Sequence, residues 1–213
     1  MATTWPTSGP MPKVSEAHLS ARRQQIVDAA VVCFARDGFH RATMQDICRE
    51  AALSPGAVYR YFASKEELIE AIADQRHARE AGFMDLAREA GGGAEGLRAL
   101  GRAFFSSLAD PDERRRRRLG VQVWAEALRN PSIRRLVMRG VNRPRKVIAD
   151  LVREAQERGE LSPALDPDSV ARVMTALFQG FILQQAWDER ADVAAYLETV
   201  EAFFDALLTE RVA

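Results

Sequence analysis

Beyond residue 20 the apolar positions recur at intervals of three and four, the spacing of helices that bury one face. Ile26, Ala29, Ala30, Cys33 and Phe34 follow this rule. Ser20 is the expected N-cap of that first helix and Gly38 its end. Thr43 opens a second helix, with Asp46 placed to complete a capping box and Ile47, Cys48 and Ala51 facing inward. Ser54 caps a very short third helix that starts at Pro55, where a missing N–H costs nothing. Val58 and Phe62 lie one turn apart on it. Ser64 and Glu67 fit S-x-x-E at the head of a fourth helix anchored by Leu68, Ile69 and Ile72.

The rest of the chain also reads as helix. A glycine break at Gly91–Gly93, read as a linker, precedes a helix over 95–109. A turn at Asp110-Pro111 leads to a helix over 112–129 that stops at Asn130-Pro131. The next helix, 132–158, contains Pro144, which is expected to kink or split it. Gly159 closes it, and two more helices follow over 167–188 and 190–210. There is no strand-type alternation and no internal repeat. The expected fold is all-α, about nine helices, with a three-helix head and a larger helical body. Residues 1–18, rich in Thr, Ser, Pro and Gly, read as a disordered tail, 19–65 as the head and 66–213 as the body.

Residues 43–62 carry the functional signal. Two short helices joined through Ala52-Leu53-Ser54 make a helix-turn-helix. The third helix is too short to hold together alone, so Val58 and Phe62 must pin it to its neighbours. Its other face then offers Gly56, Ala57, Tyr59, Arg60 and Tyr61 to a partner. Small residues at its start let a backbone approach a nucleic acid closely, and hydroxyls and a guanidinium flank them as donors. Thr43 and Lys65, each at a helix start, are placed for phosphate contacts.

Three runs fix a resemblance: Thr43-Met44-Gln45-Asp46-Ile47, Ala51 through Phe62, and Ser64-Lys65-Glu66-Glu67-Leu68. With Ile26–Ala30 and Phe34–Phe39 before them, they resemble the DNA-binding domain of the TetR (tetracycline repressor) family over residues 20–72. The resemblance implies a transcriptional regulator that binds double-stranded DNA at a near-palindromic operator, as a homodimer, and answers to a small-molecule effector. By the resemblance Thr43, Tyr59, Tyr61 and Lys65 grip phosphates, while Ser54, Pro55, Gly56 and Ala57 lie against the groove and Arg60 serves either role. Many relatives carry His where Tyr61 stands. The apolar Ala57 suggests contact with a thymine methyl. A repressor released by its ligand is the implied function; a helix-turn-helix protein that senses nothing is the alternative.

The body carries looser signals. Trp124–Pro131, Gly159-Glu160-Leu161 and Asp166-Pro167 resemble helix ends of that family. On the 167–188 helix one broad stripe runs from Val170 to Ile182, and Ala176, Gly180, Leu183 and Trp187 form a second. A helix apolar on most sides is buried on most sides. The second stripe, with Phe203 and Leu207 of the last helix, is therefore assigned to a dimer interface, with plain intrachain packing as the alternative. Phe104, Leu108, Trp124, Leu128, Met138, Met174 and Phe178 are nominated for an adaptable, largely apolar ligand pocket. Glu126 is read as a structural salt-bridge partner or a ligand anchor, and Arg114–Arg118 as a solvated face or a nucleic-acid patch.

Overall charge changes the picture little. The formal net charge is zero, yet residues 1–65 carry eight Lys/Arg against five Asp/Glu. No apolar run reaches the roughly 18 residues of a membrane span, and the N-terminus lacks a signal-peptide core. Cys33 and Cys48 are too few for a disulfide framework and read as core residues, which with the rest points to the cytoplasm. His18, His40 and His77 do not cluster, so no metal or cofactor is expected. No nucleophile–base set and no phosphate-cradling glycine loop argues for an enzyme.

Overall fold

The computed structural model describes residues 15–188 and 190–209, the side chains of 79, 80 and 207–209 excepted. Its elements are α1 (Glu16–Asp37), α2 (Met44–Glu50), α3 (Pro55–Tyr59), α4 (Lys65–Glu89), α5 (Gly93–Ser107), α6 (Pro111–Ala127), α7 (Pro131–Glu157), α8 (Pro167–Trp187) and α9 (Val193–Thr209). Local chemistry sets most boundaries. Thr43 and Asp46 form a reciprocal capping box, and Ser54, Ser64, Asp110, Asn130 and Asp166 each cap the helix that follows.

Two expectations need correction. The first helix begins at Glu16, where Ser15 Oγ accepts from the His18 N–H at 3.2 Å. Residues 16–18 are therefore helical; residues 1–14 of the expected tail lie outside the described residues. An acidic first turn suits the helix dipole, and this solvated turn needs no apolar residue. The second correction is Pro144, which sits inside one continuous α7. Packing against α4, α5, α6 and α8 holds α7 together despite one absent N–H.

In the head, Ile26, Cys33, Phe34, Ile47 and Val58 are fully buried and Cys48 and Phe62 nearly so. Burial pushes the Cys33 thiol up. This core does not stop at the head. Leu119 and Ala127 of α6 and Ile133 and Leu136 of α7 belong to the same buried cluster. A second cluster joins α4, α5, α7 and α8, and a third joins Phe105 of α5 and Leu108 at its C-cap to Phe181 and Ile182 of α8.

The glycine break is a clamped turn. Gly92 and Gly93 have φ of +71° and +53°, in the left-handed region that suits glycine. Glu154 and Glu160 accept from the N–H groups of Gly93 and Ala94 at 3.1 and 2.9 Å. A side chain at Gly92 would collide with the Glu154 carboxylate. The turn thus fixes the start of α5 against α7.

Candidate DNA-reading surface and internal cavity

The recognition surface starts from the short α3. Ser54 Oγ accepts from the Ala57 N–H at 3.3 Å, and the buried Val58 and Phe62 pin the element to α1 and α2. Gln25 Nε2 donates to the Ala51 carbonyl at 2.7 Å and fixes the end of α2. The turn between the helices uses Ala52 at φ +53°. What remains outward is the expected face. Ser54, Pro55, Gly56 and Arg60 are exposed, Tyr59 is 50% exposed, and Ala57 and Tyr61 are half-buried. Gly56 has open space where a side chain would go. Gln45 and Arg49 share a shallow depression with Pro55 and belong to this surface. Sequence reasoning missed them; their spacing of four on α2 was the available signal.

Two expected phosphate contacts have other partners here. The Thr43 hydroxyl donates to Asp46 at 2.6 Å, which with the Thr43 N–H holds the Asp46 carboxyl below its usual range. Lys65 Nζ donates to the Phe39 carbonyl at 2.7 Å and the His40 carbonyl at 3.3 Å. It also lies 4.7 Å from the centre of the Phe39 ring. Lys65 therefore ties α4 to the loop after α1. The next residue of that loop adds a second tie: His40 Nε2 meets the Glu126 carboxylate of α6 at 2.6 Å, so Glu126 is engaged by the head loop.

A cavity of about 100 Å³ lies within the body among α4, α5, α6, α7, α8 and α9. Phe104, Trp124, Met174 and Phe178 line it as expected. Leu108, Leu128 and Met138 do not. Leu108 is fully buried in the core between α5 and α8, while Leu128, beyond the end of α6, is 85% exposed and Met138 is 41% exposed. Their helical phase, not their type, puts them elsewhere. Sequence reasoning missed Arg76 of α4 and Arg117 of α6, both in the cavity wall. Arg117 stands within the arginine run, whose members Arg114, Arg115 and Arg118 are exposed. Arg117 itself is buried, donates to Glu113 at 2.5 Å and lies 5.3 Å from the Phe178 ring centre. The spacing from Glu113 to Arg117, one helical turn, was the signal that set it apart.

A stripe of α8 faces outward. Val173 is 60% exposed, Trp187 is 76% exposed, Ala176 is exposed, and open space surrounds Gly180. Leu183 is half-buried on its edge, and Phe203 of α9 is 63% exposed. The Leu207 side chain lies outside the described residues. These outward apolar side chains make the stripe a candidate contact surface. Among the described residues no helix is long and apolar enough to cross a membrane.

A helix-turn-helix head sharing its core with a hollow helical body defines the class: an all-helical, DNA-binding transcriptional regulator. Comparison with known proteins gives the family. Residues 26–72 match the model of bacterial regulatory proteins of the tetR family, and residues 93–209 match the C-terminal model of BetI-type transcriptional repressors. The chain is 31% identical over 188 residues to the HTH-type transcriptional regulator UidR of Escherichia coli K12, covering 88% of this chain and 93% of that one. The solved structure of Salmonella enterica GusR superposes with a TM-score of 0.74 at 27% identity, over 92% of this chain and 98% of that one. A regulator from Saccharomonospora viridis in complex with choline superposes with a TM-score of 0.69 at 25% identity, over 87% and 96%. The chain belongs to the TetR family of bacterial transcriptional regulators.

Proposed function

We propose that this regulator is a ligand-released repressor whose operator contacts come from Ser54 to Tyr61. Two copies joined through the outward stripe of α8 and through α9 would place two such surfaces on half-sites about 34 Å apart or a multiple of it. The small-molecule site is the cavity lined by Phe104, Trp124, Met174 and Phe178. The choline complex of the Saccharomonospora viridis relative is consistent with effector binding in such a body. The observation that carries the reading is continuity. Helix α4 holds Lys65 against the head at one end and Arg76 in the cavity wall about three turns later. Helix α6 holds Glu126 against His40 and Arg117 and Trp124 in that same wall. A ligand that favours one spacing of α4 and α6 therefore favours one placement of the head, and DNA affinity changes by that difference. This reading assigns no catalytic role and places the protein in the cytoplasm with its operator.

The test selects operators from a random-sequence DNA pool and follows binding by fluorescence anisotropy. The enriched sequences should be near-palindromic. Gly56→Glu should melt like the wild type, since Gly56 has open space, yet lose the selected operator because a carboxylate enters the phosphate-rich groove. Wild-type affinity in that variant would remove α3 from the interface. The cavity favours the ligand-responsive reading over a regulator that senses nothing.

A further inference from the structure

We infer that Gln45 of α2 reads one base of the operator directly, and that this base is an adenine met in the major groove. The inference rests on the proposal that α3 contacts the operator and deepens it. In a helix-turn-helix the first turn of the recognition helix enters the groove. Here that turn is Pro55-Gly56-Ala57, three residues without a hydrogen-bonding side chain. The Ser54 oxygen ahead of it accepts from the Ala57 N–H. Tyr59 and Arg60 stand at the far end of α3, with Arg60 its C-cap. At the leading end, hydrogen-bonded readout therefore falls to side chains that lie beside α3. Gln45 and Arg49, one turn apart on α2, share with Pro55 a shallow depression whose other walls are Cys48, Ala52 and Leu53. Arg49 is engaged: it pairs with one oxygen of Asp46, whose other oxygen is held by Thr43. Gln45 is exposed and has no hydrogen-bond partner among the described residues.

The side chain is free, but the backbone that carries it is fixed. The capping box holds the head of α2, Ile47 and Cys48 are buried on its inner face, and Gln25 donates to the Ala51 carbonyl at its end. A reader on so constrained an element is aimed by the core beneath it. The amide then selects the base. It presents one acceptor beside two donors. On the major-groove edge adenine alone sets an acceptor, N7, beside a donor, the N6 amino group. Guanine offers two acceptors, thymine an acceptor and a methyl group, and cytosine a donor. Only adenine satisfies both sides of the Gln45 amide at once.

Operators are selected from a random-sequence DNA pool with the full-length wild type, Gln45→Ala and Gln45→Glu, and the enriched sequences are compared one position at a time. The wild type should favour an A·T pair at one position of each half-site by about tenfold over the other pairs. Gln45→Ala should flatten that position alone, keep every other preference, and melt at the wild-type temperature because the side chain is exposed. Gln45→Glu should bind more weakly throughout, as a carboxylate near phosphates must, and turn the same position toward C·G, whose cytosine amino group it can accept. Preferences unchanged in both variants, or a flattened position that had favoured G·C or C·G, would overturn the inference. So would an A·T preference that Arg49→Met erases and Gln45→Ala retains. An operator lost by Gly56→Glu but read by Gln45→Ala as by the wild type removes the base reader and leaves α3 in the interface. A wild type that enriches no sequence removes both.

Discussion

Replacing Lys65 by methionine separates two jobs that one lysine can do. The hydrocarbon stem is kept and the ammonium is lost. In the structure that ammonium donates to the carbonyls of Phe39 and His40 at 2.7 and 3.3 Å and sits over the Phe39 ring. A hydrogen bond from a charged donor contributes about 1.5–3 kcal/mol, and a partly exposed cation–π contact about 0.5–1 kcal/mol. The second carbonyl contact is long and the site is half-exposed, so a loss of about 2 kcal/mol is expected. For a chain of 213 residues that corresponds to a Tm lower by about 4–8 °C. Operator binding is then followed from low to high salt. A lysine bound to a phosphate contributes about 0.9 to the slope of log affinity against log salt. With two of its three N–H donors on chain carbonyls, Lys65 should leave that slope unchanged on removal. An unaltered Tm together with a slope shallower by about 0.9 would mean that the ammonium leaves Phe39 for the DNA, and the assignment would be wrong.

Val58→Ala removes two methyl-sized groups from a fully buried site, an expected loss of about 2–3 kcal/mol from transfer and cavity terms; because α3 depends on this anchor, operator affinity should fall with stability, whereas Leu86→Ala at a 47%-exposed position should stay within about 0.5 kcal/mol by chemical denaturation. Asp46 has its pKa lowered by Thr43, so its capping contribution is fully present above the ordinary aspartate range and is lost as pH falls through the lower folded value. Asp46→Asn should melt lower than the wild type at neutral pH and converge with it in acid; parallel melting curves at all pH values would remove Asp46 from the cap. Val173→Asp, on the outward stripe of α8, should leave the fold intact by circular dichroism but convert the dimer to a monomer in analytical ultracentrifugation and weaken operator binding.

Local structure was legible from the residues alone. Caps, proline positions and apolar spacing located the helices after α1 to within a few residues, because each is set by neighbours on the chain. They also fixed the outward face of α3, since Val58 and Phe62 leave only one way for so short an element to dock. Tertiary structure decided everything that depends on which helix lies opposite. It put Arg117 inside while three other arginines of the same run stay in solvent, because one position in that run turns toward Phe178 and Glu113. It turned Lys65 and Glu126 into ties between head and body, and it left Leu128 outside while Phe104 and Trp124 enclose a cavity. Periodicity gives each helix a buried face; the partner that face meets, and the space left between them, follow only from how the helices pack.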